Sequence, residues 1–190
     1  MRFISHLDMT RFMARTIRRA ELPVWYTEGF NPHLYMTFAL PLSLGFESDY
    51  EVVDIRILDD DYNVSEIPRK LNAVCPPYIH FFDVATPIKK AGDVAAAEFC
   101  ITFDDGGEIA NDLNAFLNRG SIVVLKKTKK GGEKEIEVGD KIKAFSFDTT
   151  NNDTVLKITL PAGSVENLNP ELFLSKFFEE NGNYYCYIPE

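Results

Sequence analysis

Residues 5–20 read SHLDMTRFMARTIRRA, and this stretch decides how the first half of the chain folds. At 100° per residue, its apolar positions fall on one side of a helix, and four arginines fall on the side next to it. Ser5 is a typical N-cap, and Asp8 stands three residues later, where an acid completes a capping box. Pro23 disfavours helical geometry at Leu22, so we predict a two-faced helix that ends before this pair.

The rest of the chain alternates short β-branched or aromatic runs with helical patterns, separated by Gly, Asn and Pro. In the first half we predict strands over 24–26, 34–40 and 50–58, a helix over 64–74 and a strand over 78–85, with a first strand drawn either from residues 2–4 or from residues upstream of them. In the second half we predict a strand over 97–103, a helix over 108–118, strands over 122–127, 134–147 and 154–160, a helix over 170–179 and a strand over 184–188. Both orders indicate β-α-β-β-α-β units. We therefore expect an α+β fold of two tandem ferredoxin-like domains, with antiparallel sheets and the helices on one face.

The length and composition fit two small globular domains. The chain has 190 residues, of which 45% are hydrophobic and 26% charged. Residues 87–93 combine Pro, Gly and paired Lys, so we expect an N-terminal domain over 1–87 and a C-terminal domain over 94–190. No apolar run is long enough to span a membrane. The three cysteines lie far apart, which predicts reduced thiols and a cytoplasmic protein, and we expect no metal and no other cofactor.

Positive charge is concentrated at the start of an otherwise acidic chain. The net charge of the chain is −9. Residues 1–41 hold five Arg against three acidic residues, a charge of +2, so the remaining residues carry −11. Arg offers a planar fork of donors that suits phosphate. The loop after the helix carries aromatic side chains, and RNA-binding surfaces combine such charge with rings that stack on bases. The alternative is a solvated helix face whose arginines pair with acids of the same helix.

A second basic group surrounds a Gly-Gly pair at residues 131–132 and predicts a Lys-rich hairpin tip, which either protects a strand edge or grips phosphates. The predicted binding residues for RNA or substrate are Arg11, Arg15, Arg18, Arg19, Tyr26, Glu28, Gly29, Phe30, Asn31, His33, Lys129 and Lys130.

His6 and His33 are the two candidate catalytic residues. Imidazole titrates near neutral pH, so two such rings facing one cleft would form a general acid/base pair for metal-independent RNA cleavage. The alternative is that both histidines only frame loops. No Walker loop, His-Glu-x-x-His or dinucleotide fingerprint is present, so the sequence gives no support to those enzyme classes.

Several motifs carry a resemblance to a known family. They are RFISHLD at residues 2–8, EGFNPH at 28–33, PLSLG at 41–45, TKKG at 128–131 and a looser GS-x-x-NL-x-P at 163–170. Together they closely resemble the bacterial radical-SAM-linked protein family, a domain of unknown function found next to, or fused behind, a radical SAM protein. The resemblance implies a radical SAM protein as partner and supplies no known activity. The three-Cys motif of that partner is absent from this chain, so the iron–sulfur cluster would belong to the partner.

These observations favour an accessory module without catalytic activity of its own over an enzyme. It would bind tRNA, rRNA or a phosphorylated substrate and present it to the radical SAM enzyme. Two alternatives stay open. One is a metal-independent endoribonuclease that uses His6 and His33. The other is a protein-interaction module whose arginines meet an acidic partner without nucleic acid.

Overall fold

The computed structural model describes residues 2–104, 107–127, 131–150, 153–163 and 165–182, and the chain divides into two compact units, unit 1 (Met1–Asp93) and unit 2 (Val94–Glu190). The helices are α1 (His6–Arg19), α2 (Ile67–Val74), α3 (Ile109–Leu117) and α4 (Glu171–Asn181). The strands are β1 (Met36–Phe38), β2 (Val53–Ile55), β3 (Ala96–Phe103), β4 (Val123–Lys127), β5 (Glu133–Glu137), β6 (Ala144–Thr150) and β7 (Asp153–Pro161). All strand pairs are antiparallel, so the expected α+β class is confirmed. Within the described residues, no helix is both long enough and apolar enough to cross a membrane.

Helix α1 forms where the sequence predicts it. The Ser5 Oγ accepts a hydrogen bond from the Asp8 N–H at 3.2 Å, and the same hydroxyl donates to the Asp8 carboxylate at 2.7 Å. The inner side of the helix buries Met13, Thr16 and Ile17 and packs towards α2. Burial of an apolar side chain such as Ile17 contributes roughly 1.5–3 kcal/mol, and this burial fixes which side of α1 faces solvent.

The sheet of unit 1 is shorter than the sequence predicts. Strands β1 and β2 pair with Met36 opposite Ile55, and isolated bridges at Val24–Ile57 and Tyr26–Leu34 extend the pairing. The predicted strands over 24–26, 34–40 and 50–58 are therefore reduced to three-residue strands and single bridges. Residues 41–50 contain a Pro and a Gly and form a loop, which takes the chain away from its partner strand.

Two strands predicted for unit 1 are wrong. Residues 2–4 lie in a turn and an irregular segment, and residues 78–85 form no strand. The side-chain amide of Asn72 in α2 donates to the Phe81 carbonyl at 2.7 Å and accepts from the Phe81 N–H at 2.9 Å. A strand at residues 78–85 would use the N–H and carbonyl of Phe81 to pair with a neighbouring strand. Because Asn72 bonds both groups, this segment is attached to α2 and not to the sheet.

In its described residues, unit 2 is built on a three-stranded sheet in the order β3-β7-β6. Leu156, Ile158 and Leu160 alternate along the central strand β7 and are fully buried in a core that also contains Phe173 of α4 and Phe116 of α3. Strands β4 and β5 form a separate hairpin. The elements predicted over 97–103, 108–118, 122–127, 154–160 and 170–179 are confirmed to within a few residues at each end.

The single predicted strand over 134–147 is two strands, β5 and β6. The Glu137 carboxylate accepts hydrogen bonds from the Ser121 hydroxyl at 2.5 Å, the Ile122 N–H at 2.7 Å and the Gly139 N–H at 2.9 Å. These bonds close a turn directly after β5, and a short 3-10 helix over Gly139–Lys141 follows it. The predicted strand over 184–188 lies outside the described residues.

Candidate functional site

The exposed side of α1 carries four arginines, which form the arginine face: Arg11, Arg15, Arg18 and Arg19. The Nη1 of Arg11 lies 3.3 Å from Asp8 Oδ1, with side-chain exposures of 59% and 61%. An exposed pair of this kind contributes only about 0.2–1 kcal/mol. Among the residues that the structure describes, the other three arginines have no carboxylate within ion-pair distance. The predicted face therefore exists, and only one of its four guanidinium groups pairs with an acid of the same helix.

Asp8 is the acid that borders the arginine face. The hydrogen bond from the Ser5 hydroxyl lowers the pKa of Asp8, and the charges of Arg11 and Arg15 lower it further. The carboxylate is therefore ionised at neutral pH and accepts from both Ser5 and Arg11. Arg15 lies seven residues after Asp8, two helical turns further on, so the two residues are on the same stripe of α1.

Residues 27–33 form a closed turn, which we name the hairpin loop. Its two ends are joined by a backbone hydrogen bond from the Thr27 N–H to the His33 carbonyl at 2.8 Å. The Thr27 hydroxyl accepts from the His33 N–H at 3.1 Å and lies 2.9 Å from His33 Nδ1. The Nδ1 atom also lies 3.2 Å from the carbonyl oxygen of Asn31. His33 is thus a structural clasp of the loop, a role that the sequence left open.

The tip of the hairpin loop points its side chains into solvent. Glu28, Gly29, Phe30 and Asn31 are all exposed, and the ring of Phe30 is fully exposed, at 108% of its reference area. Gly29 adopts a φ of +127°, a conformation that residues with a Cβ rarely adopt. The Phe30 ring is therefore fully accessible to a binding partner at the tip of the loop.

Trp25, one of the aromatic residues that the sequence places after α1, forms a cluster with Arg56 and Tyr35. The Arg56 guanidinium lies 5.0 Å from the centre of the Trp25 ring, a cation–π distance. The Tyr35 ring meets Trp25 edge to face at 5.6 Å. Tyr26, a predicted binding residue, is exposed. The aromatic residues at 26 and 35 are visible in the sequence, but the contact of Arg56 with the Trp25 ring is not.

His6 and His33 contact different parts of unit 1. The His6 ring packs edge to face on Phe38 with ring centres 5.2 Å apart. Burial raises the pKa of Glu51, and the charge of His6, which lies near this carboxyl, partly opposes that shift. The described contacts therefore place His6 against Phe38 of β1 and His33 at the base of the hairpin loop, and none of them joins the two rings.

Two predicted binding residues, Lys129 and Lys130, lie outside the described residues. In the described part of the chain, no group of three or more His, Cys, Asp or Glu side chains is arranged to hold a metal ion.

Cys75 follows α2 directly. Burial raises the pKa of its thiol, and the charge of Arg19 lowers this pKa in part. Arg19 is the last residue of α1, the helix that packs against α2.

A comparison with protein families finds one family that matches residues 1–170, which is all of unit 1 and unit 2 as far as Pro170. No curated protein and no solved structure matches the chain. The expected bacterial family of unknown function is confirmed at this level, since the matching description reads "uncharacterized protein conserved in bacteria". The chain therefore belongs to the bacterial family of uncharacterized conserved proteins named DUF2344.

Proposed function

We propose that this protein is an RNA-binding accessory module and that unit 1 supplies its main RNA contacts. The observation that carries the proposal is the arginine face, where three exposed guanidinium groups have no carboxylate partner among the described residues. The chain has nine more negative than positive charges, so acids are available in excess. Arginines that stay unpaired in such a chain are suited to anionic partners, and RNA phosphates match their fork of donors.

The hairpin loop supports the same proposal with a second kind of contact. Phe30 stands fully exposed at the tip of a loop whose base is held by Thr27 and His33. Single-stranded RNA is recognised largely by stacking of unpaired bases on aromatic side chains, at roughly 1–3 kcal/mol per base. Because the loop is already ordered, stacking on Phe30 would cost little conformational entropy.

The partner in this proposal is a radical SAM protein. The motifs at residues 2–8, 28–33 and 41–45, which resemble the radical-SAM-linked family, support it. In unit 1 these motifs form the α1 N-terminus, the hairpin loop and the loop after β1. One motif is therefore part of the proposed RNA surface, and the other two lie before and after it in the sequence. The chemistry of modification would belong to the partner, and this chain would hold the RNA for it.

We also propose domain limits at 1–87 and 94–190, with a ferredoxin-like arrangement in unit 2, whereas unit 1 keeps only the strand hairpin and the two helices of that arrangement. In a β-α-β-β-α-β unit, the second and third strands form a hairpin and the first strand lies beside the third. The order β3-β7-β6 in unit 2 supports this arrangement, with the β4–β5 hairpin as an insertion after α3. In unit 1, the contact between α1 and α2 is compatible with two helices on one face of the sheet.

The test is RNA binding measured by fluorescence anisotropy over a range of salt concentrations, with unfractionated bacterial tRNA and a single-stranded RNA of about 20 nucleotides as probes. The variant R15A/R18A/R19A is compared with K89A/K143A/K157A, which removes the same charge from exposed positions elsewhere. We expect the arginine variant alone to lose affinity by at least tenfold and to reduce the salt slope by about 2. Equal binding by the two triple variants would overturn the proposal.

A further inference from the structure

A groove opens beside the N-terminal half of α1, next to the arginine face. It has a volume of about 290 Å³ and is lined by Phe3, Ile4, Asp8, Met9, Phe12 and Tyr78. Its outer residues are unusually open for apolar side chains: Tyr78 is 74% exposed and Phe3 is 63% exposed. The groove thus combines two exposed aromatic rings with a single charged group.

The shape and lining of the groove fit one flat aromatic ligand. Small-molecule sites in proteins are mostly apolar with a few polar groups, and their volumes run from roughly 300 to 1,000 Å³. A volume at the lower end of that range suits a single heterocyclic base. The exposed rings of Phe3 and Tyr78 line the groove, and the Arg2 guanidinium lies 5.7 Å from the centre of the Phe3 ring. The partly buried part of the wall is formed by Phe12 and Met9, which pack against the core of unit 1.

The charges around the groove identify what the ligand carries. Asp8 lines the groove, and its carboxylate only accepts hydrogen bonds, so it favours a base that presents an amino group. Arg15 lies one helical turn beyond Phe12, on the same stripe as Asp8, and would face the phosphate attached to such a base. Uracil presents its one N–H between two carbonyl oxygens, which a carboxylate repels.

We propose that this groove is a base-binding pocket that takes one unstacked nucleobase with an exocyclic amino group in preference to uracil. The inference rests on the proposed RNA-binding function and adds base selectivity to it. In this arrangement the arginine face holds the backbone without reading sequence, and the groove reads one base through stacking and the Asp8 carboxylate.

The experiment compares binding of fluorescein-labelled oligo(A), oligo(C) and oligo(U) of about 12 nucleotides at one salt concentration. We expect the wild type to bind oligo(A) and oligo(C) about tenfold more tightly than oligo(U). Y78A is expected to weaken oligo(A) binding about tenfold, which is the loss of one stacked base. The matched control is F82A, because Phe82 is similarly exposed, at 67%, and does not line the groove.

A second variant tests the role of the carboxylate. D8N keeps an oxygen that the Ser5 hydroxyl can bond, but its amide also donates, so we expect the preference against oligo(U) to shrink to less than threefold. The inference is overturned if Y78A and F82A bind oligo(A) with equal affinity, or if the wild type binds oligo(U) as tightly as oligo(A) and oligo(C). If R15A/R18A/R19A still loses binding in that case, only the pocket is refuted. If that variant also binds normally, the RNA-binding proposal fails as well.

Discussion

Asn72 and Phe81 exchange two hydrogen bonds, one at 2.7 Å and one at 2.9 Å, so that a helix side chain takes the place of a neighbouring strand. Both bonds are partly buried. The amide of Asn presents a donor and an acceptor at the same spacing as a peptide group, which is why it satisfies the backbone of residue 81. The contact fixes the segment after α2 to the helix, and that segment includes Tyr78 of the proposed pocket.

We predict that N72A lowers the free energy of unfolding of unit 1 by about 1–3 kcal/mol, because the Phe81 N–H and carbonyl lose their partners. Trp25 is the sole tryptophan and lies in unit 1, so urea denaturation followed by tryptophan fluorescence measures this unit. The control N31A changes an exposed loop side chain, for which we expect a change within about 0.5 kcal/mol. A denaturation midpoint for N72A equal to that of N31A would contradict the structural role of Asn72.

The same pair explains why part of the fold could not be predicted from the sequence. Helix α1 and its arginine face are set by local features, the Ser5 cap and a 3.6-residue period, and both are found as expected. The closing strand over 78–85 was predicted from β-branched and aromatic content alone. Whether such a segment joins a sheet depends on which groups reach its backbone, and Asn72 is a long-range competitor that composition does not reveal.

The candidate site likewise has one part that follows from local sequence and another part that does not. The exposed arginines and Phe30 follow from charge and turn signals within a few residues of one another. The cation–π contact of Arg56 with Trp25 and the groove between Phe3 and Tyr78 join segments that are 31 and 75 residues apart. Their geometry is set by the packing of the whole unit, so no local pattern could have indicated them.

Gly163 provides a test of the packing in unit 2. It adopts a φ of +129°, and a Cβ at this position would lie 2.0 Å from the carbonyl oxygen of Val94. Because the obstacle is backbone, G163A should force the ends of β3 and β7 apart. We expect a loss of unfolding free energy that exceeds the loss in G120A by more than about 2 kcal/mol, measured by far-ultraviolet circular dichroism during denaturation.

G120A is a matched control, because Gly120 also has a positive φ of +77° but nothing lies within 4 Å of its added Cβ. Its expected cost is the backbone strain alone, about 1–2 kcal/mol. Equal losses in the two variants would show that the close approach to Val94 does not limit this position.

Glu137 makes unit 2 sensitive to acid. The Ser121 hydroxyl and the backbone N–H groups of Ile122 and Gly139 lower the pKa of Glu137. A group whose pKa is lower in the folded state adds stability above its unfolded pKa of about 4.3, and this contribution is lost as the pH falls through the folded value. We therefore expect E137Q to be less stable than the wild type at pH 7, and the difference to shrink on acidification to pH 3. Urea midpoints at both pH values measure it, and a difference independent of pH would contradict the assignment.

Thr27 tests whether the order of the hairpin loop matters for binding. T27V keeps the size of the side chain and the backbone bond to His33 but removes both contacts of the hydroxyl with His33. We expect a loss of roughly 1 kcal/mol in the stability of unit 1 and a several-fold weaker affinity for single-stranded RNA, because stacking on Phe30 would then have to order the loop. The slope of affinity against salt should stay unchanged, since the arginine face is intact. T37V is the control, because Thr37 is exposed on β1 and its hydroxyl has no hydrogen bond within the described residues. If T27V and T37V bind RNA equally well, the loop does not act through its preorganisation, and a changed salt slope would place its effect on the phosphate contacts instead.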